Sequence, residues 1–155
     1  MGAVNQKFNT AEARERKAID WYVKIKDGSV ELNDVSDIGS FKPIDFIFTS
    51  GNTFCVGEVK IRSFAHDKYP TAVLELDKVM SMMKQGIDYL STNHQILYFA
   101  FYEESRKLLI FDIKNTPHTL SYKHSPVSSC EDRGSKHKVM AEFKIEDAIE
   151  IIDII

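Results

Sequence analysis

The chain is poor in the features that mark several functional classes. It has only two cysteines, Cys55 and Cys130, in 155 residues. That is too few for the disulfide framework of a small secreted domain, so a reducing cytoplasm is the expected compartment. Cys55 stands in an apolar run and reads as a small buried residue. The opening Met-Gly-Ala-Val-Asn-Gln-Lys holds no apolar signal segment. Gln6 stands where a myristoylation signal needs Ser or Thr. No apolar run approaches the ~20 residues of a transmembrane helix. Positive charge is not in surplus: 20 Lys and Arg face 23 Asp and Glu, a formal net charge of −3. This removes any bulk electrostatic case for binding nucleic acid, while a basic cleft on an acidic chain stays open. The histidines and cysteines lack zinc-like spacing. There is no glycine-rich phosphate loop, no defensible Ser-His-Asp arrangement, and no repeat, low-complexity run or linker. The length fits one domain over residues 1–155 with a real core.

What the chain does have is a conspicuous stretch from Pro43 to Lys60. Ile44-Asp45-Phe46-Ile47-Phe48 and Thr53-Phe54-Cys55-Val56-Gly57-Glu58-Val59-Lys60 flank a Ser50-Gly51-Asn52 turn. Two apolar runs around such a turn predict a β-hairpin. Side chains alternate along a strand, so Glu58 and Lys60 share a face. Charges on an apolar strand need partners.

Before the hairpin, Asn9 or Thr10 can cap a helix over Ala11–Lys26. Ala11, Ala18, Ile19, Tyr22 and Val23 form its apolar stripe, and Glu15 falls on that stripe four residues before Ile19. Glu15 either pairs with a neighbour such as Arg16 or faces the charged strand. Val30–Leu32 gives a weak strand signal. Arg62–Thr71 reads as a polar loop. Ala72–Leu90 reads as a second helix with Leu76, Val79, Met83, Ile87 and Leu90 as its core seam. Glu75, Lys78, Met82, Gln85 and Tyr89 form a second, mostly polar stripe, and Met80, Met82 and Met83 read as core filler. Gln95–Phe101 and Lys107–Ile113 are strands joined by Glu103-Glu104-Ser105-Arg106. His118–Lys138 is poor in apolar residues but locally basic, with Lys123, Arg133, Lys136 and Lys138. It is either a solvated loop or a phosphate-contacting segment. Alternation resumes at Val139, Ala141, Phe143 and Ile145, followed by a short helix over Glu146–Ile152, with Ile145, Ile149 and Ile152 inward. A parallel crossover through the second helix makes a mixed sheet with helices on both sides.

Hairpin pairing sets Asp45 beside Glu58. Two adjacent carboxylates repel unless a cation sits between them. Hard oxygen ligands with open water positions suit Mg²⁺ or Mn²⁺. Lys60 can orient or deprotonate a water and offset charge on a phosphate. Arg62, Lys68 and Tyr69, just after this strand, are placed to hold a phosphate backbone near the metal. The alternative is a buried ion-pair cluster that fixes strand register; such clusters stabilise weakly.

Pro43-Ile44-Asp45, a twelve-residue spacer and Glu58-Val59-Lys60 resemble the signature of the PD-(D/E)XK nuclease superfamily. The resemblance spans roughly Ala11 to Phe101. It implies an α/β restriction-endonuclease-like fold with an αβββαβ core, here with extra C-terminal strands and a short helix. It also implies Asp45 and Glu58 as metal ligands, helped by Glu15 (with Glu12 second) and the Val59 carbonyl. Lys60 becomes the catalytic lysine, and Lys78 or Gln85 the polar residue that the second helix sends toward the site. The function it implies is Mg²⁺-dependent endonucleolytic cleavage of DNA, with Mn²⁺ able to substitute. A nuclease-fold module that binds DNA or protein without cutting is the alternative, and RNA cleavage a further one. No membrane partner is expected, and a homodimer would suit the cutting of two strands.

Overall fold

The computed structural model describes residues 3–35, 45–88, 94–126 and 135–154, with the side chains of 3–11, 85–88, 124–126 and 135–136 left aside. In chain order the elements are α1 (Ala3–Ile25), β1 (Val30–Val35), β2 (Phe46–Ser50), β3 (Thr53–Arg62), β4 (Thr71–Glu75) and α2 (Leu76–Asp88). Then follow β5 (His94–Tyr102), β6 (Lys107–Asp112), β7 (Thr119–Pro126), β8 (Ser135–Lys144), a 3-10 turn (Ile145–Asp147) and β9 (Glu150–Asp153). Pro43 and Ile44 lie outside the described residues.

Six strands form a mixed sheet in the order β1-β2-β3-β5-β6-β9. β3 and β5 are parallel, with Glu58 beside Tyr98 and Lys60 beside Ala100. A parallel pair cannot be closed by a tight turn, so the chain crosses over through β4 and α2. β4 joins β8 and β7 in a second, three-stranded sheet.

Alternation sorts the core into two layers. From β5, Ile96, Tyr98, Ala100 and Tyr102 face a cluster with Leu74 of β4, Val79 and Met82 of α2, and Phe143 of β8. Leu97, Phe99 and Phe101 face the opposite cluster, with Ile19 and Tyr22 of α1 and Phe46 and Phe48 of β2. The sheet is thus covered on both faces, which is why β5 and β6 read as nearly unbroken apolar runs. Phe46 stacks on Phe48 at 5.2 Å, and Tyr22 meets Phe99 edge-on at 4.8 Å. Each such buried ring contributes roughly 1.5–3 kcal/mol.

Several expected elements differ. α1 begins at Ala3, ahead of the Asn9–Thr10 cap. The weak signal at Val30–Leu32 is a full strand, β1. Helix Ala72–Leu90 is replaced by β4 followed by α2. Ala72 and Leu74 are buried while their neighbours are half-exposed, and that period of two takes the first five residues into the sheet. Met82 is fully buried and Met83 packs on the core, but Met80 is exposed. Leu90 and Tyr89 lie outside the described residues.

The loop expected over His118–Lys138 is largely a hairpin. β7 and β8 pair in register from Thr119–Glu142 to Pro126–Ser135. Its polar alternation hid it: Leu120 and Tyr122 are strand residues whose side chains are exposed. The C-terminal helix over Glu146–Ile152 is a single 3-10 turn and then β9, which pairs antiparallel with β6. Ile149 and Ile151 are exposed there, while Ile145 and Ile152 pack inward. Among the described residues, no helix is long and apolar enough to cross a membrane.

Candidate functional site

The site forms where β2 ends and β3 continues. Pairing of the two strands stops at Phe46, opposite Gly57. Asp45 still donates its N–H to the Gly57 carbonyl at 3.0 Å. The N–H of Val59 then lies past the end of the ladder, and Asp45 Oδ2 accepts it at 2.6 Å. A carboxylate replaces the missing strand carbonyl, and the charge strengthens the bond. Gly57 makes the approach possible: a Cβ there would lie 2.5 Å from Cε1 of Phe46. Sequence alternation puts Asp45, Glu58 and Lys60 on one face, as expected of the hairpin.

Glu58 is only 1% exposed. Its Oε1 lies 3.5 Å from Lys78 Nζ and 3.6 Å from Lys60 Nζ. Its Oε2 is buried and has no hydrogen-bond partner among the described residues. Lys78 comes from the first turn of α2, so the crossover that makes β3 and β5 parallel also delivers this second cation.

Burial pushes the Glu58 carboxyl up to about 8, with repulsion from Asp45 and Glu15 added and attraction from Lys60 and Lys78 only partly offsetting it. Glu15 rises to about 7, chiefly by burial and then by Asp45 and Glu12, against Lys60 and Lys78. α1 therefore carries Glu15 into the field of the charged strand. Burial alone would lower the Lys60 ammonium, but Glu58, Glu15 and Asp45 together hold it above its usual value. The three carboxylates carry more negative field than two lysines neutralise.

This charge deficit, with one orphaned buried oxygen, fits a small hard cation. Among the described residues, however, no three His, Cys, Asp or Glu side chains stand close enough together to hold a metal. A cation here would rest on two carboxylates and complete its shell with backbone oxygen and water, as Mg²⁺ commonly does.

No protein-family profile and no curated protein sequence matches the chain. Among solved structures it is similar to Archaeoglobus fulgidus Hjc, a Holliday junction resolvase from an archaeal hyperthermophile. The TM-score is 0.54 at 14% sequence identity, over 88% of this chain and 90% of that one. The chain has the restriction-endonuclease-like fold. α1, the β1–β2–β3 meander, the α2 crossover and β5 follow the expected αβββαβ order, with β4 inserted ahead of α2.

The remaining candidates of this restriction-endonuclease-like chain separate into groups. Arg62 is turned inward: its guanidinium donates to the Val73 carbonyl at 2.8 Å and to the Tyr98 hydroxyl at 3.2 Å. Lys68 lies over the rings of Tyr69 and Phe64, at 5.5 and 5.7 Å. Tyr69 is exposed. Lys123 pairs with Glu142 at 3.2 Å and Lys138 with Glu75 at 2.9 Å, so both tie the second sheet together. Arg133 and the side chains of Lys136 and Gln85 lie outside the described residues. Lys78, expected to reach the site as a polar residue, stands as a direct partner of Glu58. Phe64 and Tyr102, which line a pocket together with Tyr69, carried no signal in the sequence beyond being aromatic.

Proposed function

We propose that the chain is a Mg²⁺-dependent nuclease that hydrolyses phosphodiester bonds of DNA. The observation that carries this reading is the buried Oε2 of Glu58, without a hydrogen-bond partner among the described residues, beside Asp45 and Lys60. An apolar sheet has no structural use for an orphaned carboxylate oxygen, because leaving it unmatched costs free energy. The likeness in fold to a Holliday junction resolvase supports DNA as substrate.

Asp45 and Glu58 are the residues that hold the cation, with the Val59 carbonyl assisting and Glu15 adding negative charge from α1 without being a direct ligand. Mn²⁺ substitutes for Mg²⁺. When bound, the cation supplies Lewis-acid stabilisation of charge on the phosphate. Asp45 fixes Val59 through the 2.6 Å bond, and so sets the strand segment carrying Glu58 and Lys60. Lys60, on the face of Glu58, orients a water or a phosphate oxygen and offsets negative charge in the transition state. Lys78 keeps Glu58 in place from the side of α2.

The test is cleavage of plasmid and branched DNA with Mg²⁺ by the wild type, Glu58→Ala and Lys60→Ala. Unchanged cleavage in either variant refutes the assignment. A second reading keeps the fold as a binding module that does not cut. It is favoured by the pairing of both lysines with Glu58 and by the missing third donor. Calorimetric titration separates the two, since a protein that takes up neither Mg²⁺ nor Mn²⁺ leaves only the binding module.

A further inference from the structure

Arg62 lies two residues beyond Lys60 on the same face of β3, about 7 Å along the strand. Beside it opens a pocket of about 200 Å³, bounded by the end of β3, the loop after it, β4 and the β7–β8 hairpin. Its aromatic wall is made by three rings. Phe64 meets Tyr69 edge-to-face at 5.2 Å and Tyr102 at 5.9 Å. Tyr102 is buried and belongs to the core, but Tyr69 is 51% exposed with its ring beside the opening.

The charged lining is Arg62 and the Lys123–Glu142 ion pair. Lys68 adds a cation beside the pocket: it lies over the rings of Phe64 and Tyr69 and has no ion pair among the described residues. The volume is below the ~300–1,000 Å³ typical of pockets for whole ligands. It suits one flat ring system with its charged attachment left outside. Aromatic walls beside a basic rim are what unstacked nucleobases are held by. A base inside an intact duplex cannot reach such a pocket without being unstacked.

We infer that this pocket takes one unpaired base of the nucleic acid, stacked on Tyr69 with its edge toward Phe64, with the flanking phosphate directed to Lys68 and the scissile region to Lys60. The inference rests on the nuclease reading and narrows it: the preferred substrate carries an unpaired nucleotide next to the bond that is cut. Lys68 supplies the phosphate contact, Tyr69 the stacking surface, and Arg62 the inner wall, immobilised by Val73 and Tyr98.

The experiment uses the full chain without divalent metal and a DNA duplex bearing a single 2-aminopurine bulge. A fully paired duplex and the same bulge with an abasic site serve as comparisons. The bulged base is expected to lose fluorescence on binding, and its duplex to bind about tenfold more tightly than the abasic one. Tyr69→Ala is expected to abolish that difference and Tyr69→Phe to retain it; Tyr69 is exposed, so neither change removes core packing. Equal affinities for base-bearing and abasic bulges overturn the inference, as does an unquenched probe or a preference that survives Tyr69→Ala. Cleavage is scored separately with Mg²⁺. A base preference without cleavage overturns the nuclease reading alone, and cleavage without a base preference overturns the pocket alone.

Discussion

Asp45 Oδ2 accepts the backbone N–H of Val59 at 2.6 Å, so one carboxylate closes the strand ladder next to Glu58 and Lys60. The two functions of that side chain, acceptor and charge, are separable. Asp45→Asn keeps a neutral acceptor and is expected to lose less stability than Asp45→Ala while losing cleavage. Asp45→Ala loses both, and the lost charged hydrogen bond costs ~1.5–3 kcal/mol in urea unfolding. Equal stability of the two variants contradicts the capping role.

Gly57 is fixed by Phe46 rather than by its own backbone. A Cβ 2.5 Å from Cε1 and 2.8 Å from Cζ of a fully buried ring forces the ring or the strand to move. Gly57→Ala is expected to destabilise by ~1–3 kcal/mol, the range for overpacking. Adding Phe46→Leu frees the space, so the double variant should lose less than the sum of the single losses. Strict additivity of the two changes excludes the contact as the cause.

The acidic groups predict an unusual pH profile for the metal-free protein. Glu58 and Glu15 move from an ordinary 4.5 up to about 8 and about 7 on folding. Between those values the folded chain holds protons that the unfolded chain has released. Stability therefore falls as pH rises from about 5 to about 8, and levels off above. Glu58→Gln is expected to remove much of this slope in thermal unfolding followed against pH. By the same linkage, Mg²⁺ binding near pH 7 should release protons, which calorimetry in buffers of different ionisation enthalpy detects. A midpoint that rises over this range contradicts the burial of these groups.

Arg62 and Lys68 are six residues apart and are expected to fail differently. Arg62 donates to Val73 and Tyr98 inside the fold, so Arg62→Ala lowers stability by ~1.5–3 kcal/mol, the range for hydrogen bonds from a charged donor, while Tyr98 and Val73 stay bonded to each other. Lys68 is exposed over two rings, so Lys68→Ala leaves the unfolding midpoint close to wild type. It instead reduces the salt dependence of DNA binding by about one phosphate contact. The checks are urea unfolding and affinity measured against salt concentration.

The hairpin, the parallel crossover and the clustering of Asp45, Glu58 and Lys60 were legible because each depends on a short-range rule. A turn with Gly51 at positive φ joins two apolar runs, and a period of two puts the charges on one face. Glu15 was legible as a carboxylate on an inward stripe, and its facing followed from α1 packing on β3. The errors lie where the partner is distant in sequence. Thr71–Glu75 becomes a strand because Ala72 and Leu74 pair with Phe143 and Ala141, and that partner appears only in the last third of the chain. β7 was hidden because its outward face is polar or exposed and its partner β8 supplies the core residues. The segment of β9 reads as a helix because Ile145, Ile149 and Ile152 are spaced by four and three; its pairing with the edge of β6 makes it a strand, with Ile149 exposed and Ile152 inward. Arg62 reads as a surface cation in sequence, since nothing local reveals the Tyr98 hydroxyl waiting in the next parallel strand.

The central claim is that the charged end of β3 is a cation-dependent cutting site. It is tested most directly by incubating supercoiled plasmid and branched DNA with the wild type, Glu58→Gln and Lys60→Ala, with Mg²⁺ and with EDTA. The account predicts cleavage by the wild type in Mg²⁺ alone, and a loss of at least a hundredfold in both variants while their folds persist by circular dichroism. Cleavage that survives EDTA, or that Lys60→Ala carries out at the wild-type rate, contradicts it.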